Sequence, residues 1–163
     1  MTGKDGRRAV VALGANLGDR ETTLARAVER LGREVGEVVA VSRLTQTEPL
    51  TLPGDPTTYP PYLNGAVLLR TILPPEAILE RLHGIETALG RDRSKEGGRW
   101  RPRVVDLDLI AVEGLVLETP RLTLPHPEMH RRSFVLGPMA ELWPDWRHPR
   151  LGRTVTELLA ALG

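Results

Sequence analysis

Tyr62-Leu63-Asn64-Gly65-Ala66-Val67-Leu68-Leu69-Arg70-Thr71 is a β-like run that ends just before Pro74-Pro75, and the identity of its partner decides the fold. Upstream, Val38 to Gln46 alternates apolar and polar residues at the β period, which places these two runs to pair. Between them lies Glu48 to Pro61, with five prolines and one glycine, too long and too broken for a hairpin turn. Connections of that length in compact chains are usually functional loops.

Working outward, each run is joined to a helical pattern. Arg20 to Arg33 repeats Leu24, Ala27, Val28 and Leu31 at helical spacing, with Asp19 placed to cap the first turn. Glu76 to Leu89 repeats Ile78, Leu79, Leu82, Ile85 and Leu89, and Gly90 stops it. Beyond the helices, Arg8 to Leu13 and Val104 to Val112 read as apolar strands. The order βαββαβ folds most simply into a four-stranded antiparallel sheet with both helices on one face, the ferredoxin-like α+β arrangement. A short strand or hairpin over Leu115 to Leu124 follows, and then a C-terminal helical extension with patterns at Arg131 to Leu142 and Thr154 to Leu162. Nothing in the composition splits residues 1–163, so a single domain is expected.

The chain has 163 residues and no cysteine, which leaves out a disulfide framework and thiolate metal sites and fits a reducing, cytoplasmic setting. The apolar run Ala9 to Leu13 is too short for a signal-peptide core or a membrane span. A net charge of +1 gives no global field to gather nucleic acid or anionic membrane. Locally the balance differs: Arg91 to Arg103 carries six cations against two acids, almost all of them arginine, the residue suited to bidentate phosphate contacts.

Within the last core strand, Asp106-Leu107-Asp108 puts two carboxylates on one face, their α-carbons about 6.6 Å apart at the usual rise. Hard oxygen donors in a pair suit Mg²⁺ and phosphoryl-transfer chemistry. Taken alone, the pair reads equally well as a solvated acidic strand face. The neighbouring guanidinium-rich loop favours the phosphate reading, since cations and metal together neutralise a transferring phosphoryl group. Farther on, His126 stands between two prolines, a stiff backbone from which it could meet a phosphate oxygen, and Arg132 before an apolar helix is kept as a candidate with it, whereas His130 and Arg131 read as surface or helix-start residues. Tyr62 and Asn64 share a strand face, and an aromatic ring with an amide suits a flat heterocycle, although Tyr62 taken alone reads first as core packing. In a chain with one Phe, two Tyr and three Trp, each ring is scarce. Two other readings use the same residues: an RNA-binding ferredoxin-like module, whose aromatic strand signature is absent, and a metabolite-sensing domain without chemistry.

Gly14-Ala-Asn16-Leu-Gly18-Asp19, Thr47-Glu48-Pro49-Leu50, Tyr62-Leu63-Asn64, Glu86 before Gly90-Arg91, Arg99-Trp100-x-Pro102-Arg103, Asp106-Leu-Asp108, Pro125-His126-Pro127 and Arg132-Ser-Phe134 occur in one order. That series, from about Val10 to Trp143, resembles the 6-hydroxymethyl-7,8-dihydropterin pyrophosphokinase family of folate biosynthesis. The resemblance implies transfer of a pyrophosphoryl group from ATP, the co-substrate, to the pterin hydroxymethyl oxygen, leaving AMP. It implies two Mg²⁺ ions on Asp106 and Asp108, with Arg91, Arg103, His126 and Arg132 around the phosphates. It places Arg93, Arg99 and Trp100 in a mobile loop that closes on ATP, with Arg91, Arg99 and Arg103 serving catalysis, and Glu86, Leu109, Arg121 and Thr123 at the nucleoside. For the pterin it implies stacking by Tyr62 and Phe134, edge reading by Asn64, and a pocket lined by Thr47, Glu48, Pro49 and Leu50. Small-molecule substrates, no nucleic acid or membrane partner, and a monomer are the corresponding expectations. The chain departs from the family pattern at Arg101, where Gly is usual, at Gly97-Gly98, where the loop is one residue longer, and in a longer Glu48 to Pro61 segment. His83 stands where a polar nucleoside contact is expected, and the Gly14 to Asp19 turn lacks the Lys-Ser/Thr of a Walker A loop.

Overall fold

The computed structural model describes residues 6–16, 19–47, 61–90 and 105–163. The elements run β1 (Arg7–Ala15), α1 (Arg20–Glu34), β2 (Glu37–Val41), β3 (Thr45–Thr47), β4 (Tyr62–Thr71), α2 (Pro75–Ala88), β5 (Asp106–Val112), β6 (Leu117–Glu118), β7 (Thr123–Leu124), α3 (Ser133–Leu142) and α4 (Val155–Ala161). The sheet order is β2-β4-β1-β5, with β3 also on β4, and every pairing is antiparallel. This is the ferredoxin-like order expected from βαββαβ. The proline-rich segment 48–60, the arginine-rich segment 91–104 and the turn residues 17–18 lie outside the described residues.

The helix that was expected from Arg20 begins there because Asp19 caps it, its carboxylate accepting from the Thr22 N–H at 3.2 Å. One expectation needs correction. Val38 to Gln46 is not one strand but two, since Ser42 interrupts it: the Ser42 hydroxyl accepts from the Ala66 N–H and donates to the Arg43 carbonyl. A side chain thus replaces one rung of the ladder. The helical pattern at Arg131 likewise starts later, because a single 3₁₀ turn over Met129–Arg131 precedes α3 and Arg132 is extended.

Alternation sorts the side chains into two apolar layers. Ala9, Val11, Leu13 and Ala15 of β1 pack with Val67, Leu69, Leu107 and Leu109 beneath Leu24, Ala27 and Leu31 of α1 and Ile78, Leu82 and Ile85 of α2. On the opposite face Val10, Ala66, Leu68, Ile110 and Ala111 meet Val135, Leu136 and Met139 of α3, Trp143 and Trp146 just after it, and Leu158 of α4. The first layer spans β1 from end to end. The second stops near Ala12, so α3 and α4 do not extend over the part of that sheet face toward Gly14. Among the described residues, no helix is long and apolar enough to cross a membrane.

Candidate active site

The residues expected at the site fall on the half of this sheet face that lies beyond the C-terminal helices. Gly14 of β1 is opposite Asn64 on one side and Asp106 on the other, and Ala12 is opposite Ala66 and Asp108. Asn64, Gly14 and Asp106 therefore form one row across three strands. At the usual strand spacing the row spans about 10 Å from the amide to the first carboxylate. Gly14 and Ala12 put almost no side chain into that row, which makes a floor. A Cβ on Gly14 would stand 3.2 Å from Asn64 Oδ1 and 3.9 Å from Tyr62 Cδ1, so both side chains lean over the glycine.

Asn64 is buried, and its Nδ2 donates to Thr47 Oγ1 at 2.7 Å, which joins β3 to the site. Tyr62 begins β4, and the carbonyl just before it, on Pro61, accepts from Arg20 Nη1 at 2.6 Å. Asp106 and Asp108 are half-buried on the open face, as the two-residue period requires. Among the described residues, no group of three or more His, Cys, Asp or Glu side chains converges as a metal cage. Two carboxylates alone fit Mg²⁺ held jointly with substrate phosphates, because that ion keeps much of its shell for water and phosphate oxygen.

His126 is brought to the same end by a bulge in β5. The register shifts between Val10 and Val11, leaving Ile110 as an extra residue, and the His126 N–H donates to the Ile110 carbonyl at 2.7 Å. Burial pushes the His126 imidazole below its ordinary pKa, helped by the Arg132 charge and opposed by Glu128 and Asp106. Its Nδ1 accepts from the Glu128 N–H at 3.1 Å, so the neutral ring carries its proton on Nε2 and offers a donor there. Arg132 lies with its guanidinium 5.8 Å from the centre of the Phe134 ring, which is exposed in the first turn of α3. The Leu124–Pro125 peptide just ahead of His126 is cis.

The residues that the resemblance assigns to the nucleoside are distributed differently. The Leu109 side chain is in the core under α1 and α2, so any contact it makes there is through its backbone. Leu107 donates its N–H to Glu86, away from β1, and by the alternation of an antiparallel ladder Leu109 faces its N–H and carbonyl the same way. β7 lies beside β5 and carries Thr123, half-buried, while Arg121 is exposed in the β6–β7 turn. Glu86 is buried, its Oε2 on the Leu107 N–H. His83 is exposed on α2. Arg91, Arg93, Arg99, Trp100, Arg103, Glu48, Pro49 and Leu50 lie outside the described residues. Sequence reasoning missed Ala12 and the Glu128 N–H. Small residues two apart on a central strand were the available signal for the first, and none existed for the second.

The fold is a ferredoxin-like antiparallel α+β sheet, and one of its faces brings together two carboxylates, an amide, a tyrosine and a glycine. Residues 10–144 match the family model described as 7,8-dihydro-6-hydroxymethylpterin-pyrophosphokinase, and the chain belongs to that family. It is 45% identical over 156 residues to the 2-amino-4-hydroxy-6-hydroxymethyldihydropteridine pyrophosphokinase of Methylorubrum extorquens, covering 95% of this chain and 93% of that one. The protein of the same name from Synechocystis is 42% identical over 151 residues, covering 93% of this chain and 74% of the relative. A crystal structure of HPPK-DHPS in complex with substrates aligns with a TM-score of 0.75 at 12% identity, over 96% of this chain and 43% of that one. The Plasmodium falciparum HPPK-DHPS A437G structure gives 0.73 at 13% identity, over 96% and 45%. This chain thus spans less than half the length of those solved chains, and the likeness to them concerns the fold.

Proposed function

We propose that the chain, as one pyrophosphokinase domain, transfers the outer two phosphates of ATP to the hydroxymethyl oxygen of 6-hydroxymethyl-7,8-dihydropterin, giving AMP and the dihydropterin diphosphate for folate biosynthesis. The observation that carries this reading is the row Asn64, Gly14, Asp106. A bicyclic heterocycle lying flat on Gly14, its edge on the Asn64 amide, extends its side arm toward the carboxylates. Tyr62 and Phe134 supply the stacking rings, and Thr47, with Glu48, Pro49 and Leu50, lines the pocket.

Asp106 and Asp108 would hold two Mg²⁺ ions, which when bound neutralise the triphosphate and align it for in-line displacement. His126, through Nε2–H, and Arg132 bind phosphate oxygens, joined by Arg91 and Arg103, while Arg93, Arg99 and Trp100 close over the nucleotide. The outward backbone of Leu109, with Thr123 and Arg121 beside it, receives the nucleoside. A primary alcohol needs no dedicated base if it is held in line and the leaving charge is neutralised, so positioning supplies much of the rate.

The test is incubation of the protein with ATP, Mg²⁺ and the hydroxymethyl dihydropterin, with separation of the nucleotide and pterin products. AMP and the pterin diphosphate should form in equal amounts. ADP as the product, or no turnover by folded protein, refutes the reading.

A further inference from the structure

α2 buries Ile78, Leu82 and Ile85 against the sheet, and in the same layer it buries Glu86, only 1% exposed. An apolar side chain would pack there without the cost of desolvating a carboxylate, a heavy one unless the group is hydrogen-bonded. The carboxylate is tied at a definite point: Glu86 Oε2 accepts the Leu107 N–H at 2.8 Å. An acceptor-only group on a donor-only group leaves no ambiguity in that bond.

Leu107 is the residue between Asp106 and Asp108, in a strand whose first residue is Asp106. β5 is an outer strand, bonded to β1 on one side. Strand ends at sheet edges open most readily. Here two carboxylates of like charge project from that end and repel one another before any cation arrives. β1 holds the pair from one side, through Gly14 opposite Asp106 and Ala12 opposite Asp108, and Glu86 holds it from the other.

Building on the proposed metal role of the aspartates, we infer that Glu86 is a positioning residue that sets the spacing of Asp106 and Asp108 by pinning Leu107 from α2. This differs from a nucleoside contact, which the family resemblance implies for Glu86. A positioning acceptor acts through its hydrogen bond and tolerates glutamine; its loss is felt first in metal binding and in the Leu107 amide.

The experiment uses the full chain with Glu86→Gln, Glu86→Met and Glu86→Asp. Two readouts are amide hydrogen exchange at Leu107 in metal-free protein, by NMR, and Mn²⁺ binding beside a non-hydrolysable ATP analogue, by electron paramagnetic resonance. Glu86→Gln should stay within threefold of the parent in both. Glu86→Met should speed Leu107 exchange at least tenfold and weaken Mn²⁺ binding at least fivefold, with pterin affinity unchanged. Glu86→Asp, which withdraws the acceptor by one methylene, should move both readouts in the same direction and carries the test if the Met variant does not fold. Parental Mn²⁺ binding in Glu86→Met or Glu86→Asp overturns the inference, as does a Gln variant that loses nucleotide affinity as severely as Met at saturating metal. Asp106→Asn and Asp108→Asn serve as the control: if they also bind Mn²⁺ as the parent does, the metal role itself fails.

Discussion

Arg8 holds the carboxylate of Glu113 twice, through its backbone N–H and through Nη2, each at 3.0 Å. Glu113 returns a bond from its own N–H to the Arg8 carbonyl at 2.8 Å. The same guanidinium lies 4.3 Å from the centre of the Trp143 ring, so the start of β1, the residue after β5 and the end of α3 meet in one place. The pair is more than a third exposed on each side, which limits its worth to about 0.2–1 kcal/mol, with a similar amount from the cation over the ring. Arg8→Met should therefore lower urea-unfolding stability by about 1–2 kcal/mol, and Glu113→Gln by less, since the Trp143 contact survives. Equal losses in the two variants would contradict the division.

Gly14→Ala should act on the pterin side of the reaction. Its Cβ would press on Asn64 Oδ1 at 3.2 Å and reach the floor of the row. The expected result is a pterin KM raised about tenfold, equivalent to roughly 1.4 kcal/mol, with ATP affinity and unfolding midpoint near the parent values. Steady-state kinetics with each substrate varied in turn, beside a thermal melt, decide it. A parental pterin KM would place the heterocycle elsewhere.

Acid should weaken the fold in two stages. Burial pushes His148 below its ordinary value, with the charges of His130 and Arg150 acting the same way, and burial does the same to His126. Their unfolded forms bind protons first, near pH 6.5, so stability is full above that pH and falls as pH drops toward the lower folded values. Glu113 is held below the usual carboxylate range chiefly by its hydrogen bonds from Arg8. Its contribution is present above about pH 4.3 and is lost only as pH falls through its folded value. Urea unfolding from pH 7.5 to 3.5 should show both stages. His148→Gln should flatten the upper one, because His148 Nδ1 accepts from the N–H groups of Arg150 and Leu151, which a glutamine oxygen can also serve without charging.

The sheet order, both core helices and the placing of Tyr62, Asn64, Asp106 and Asp108 were legible because period 2 and period 3.6 are written in the apolar residues themselves. β4 and α1 fall within a residue of their expected bounds. What periodicity could not supply was any event that breaks it. The Ser42 interruption depends on a hydroxyl meeting Ala66, 24 positions away, and the Ile110 bulge on where β1 lies. The tautomer of His126 depends on a backbone N–H that every residue but proline possesses. The arginine-rich and proline-rich segments were legible only as composition, and their part in the site rests on the family resemblance.

The unequal covering of the sheet has a consequence for how damage spreads. Where α3 and α4 cover β1, a weakened residue has support from both sides. Toward Gly14 and Asn64, beyond those helices, the backing that the described residues supply comes from the layer of α1 and α2. With the pterin on Gly14 as proposed, substitutions hidden behind that floor should be felt as poorly aligned reactants before they are felt as an unfolded protein. Screens that score only solubility or melting will pass them.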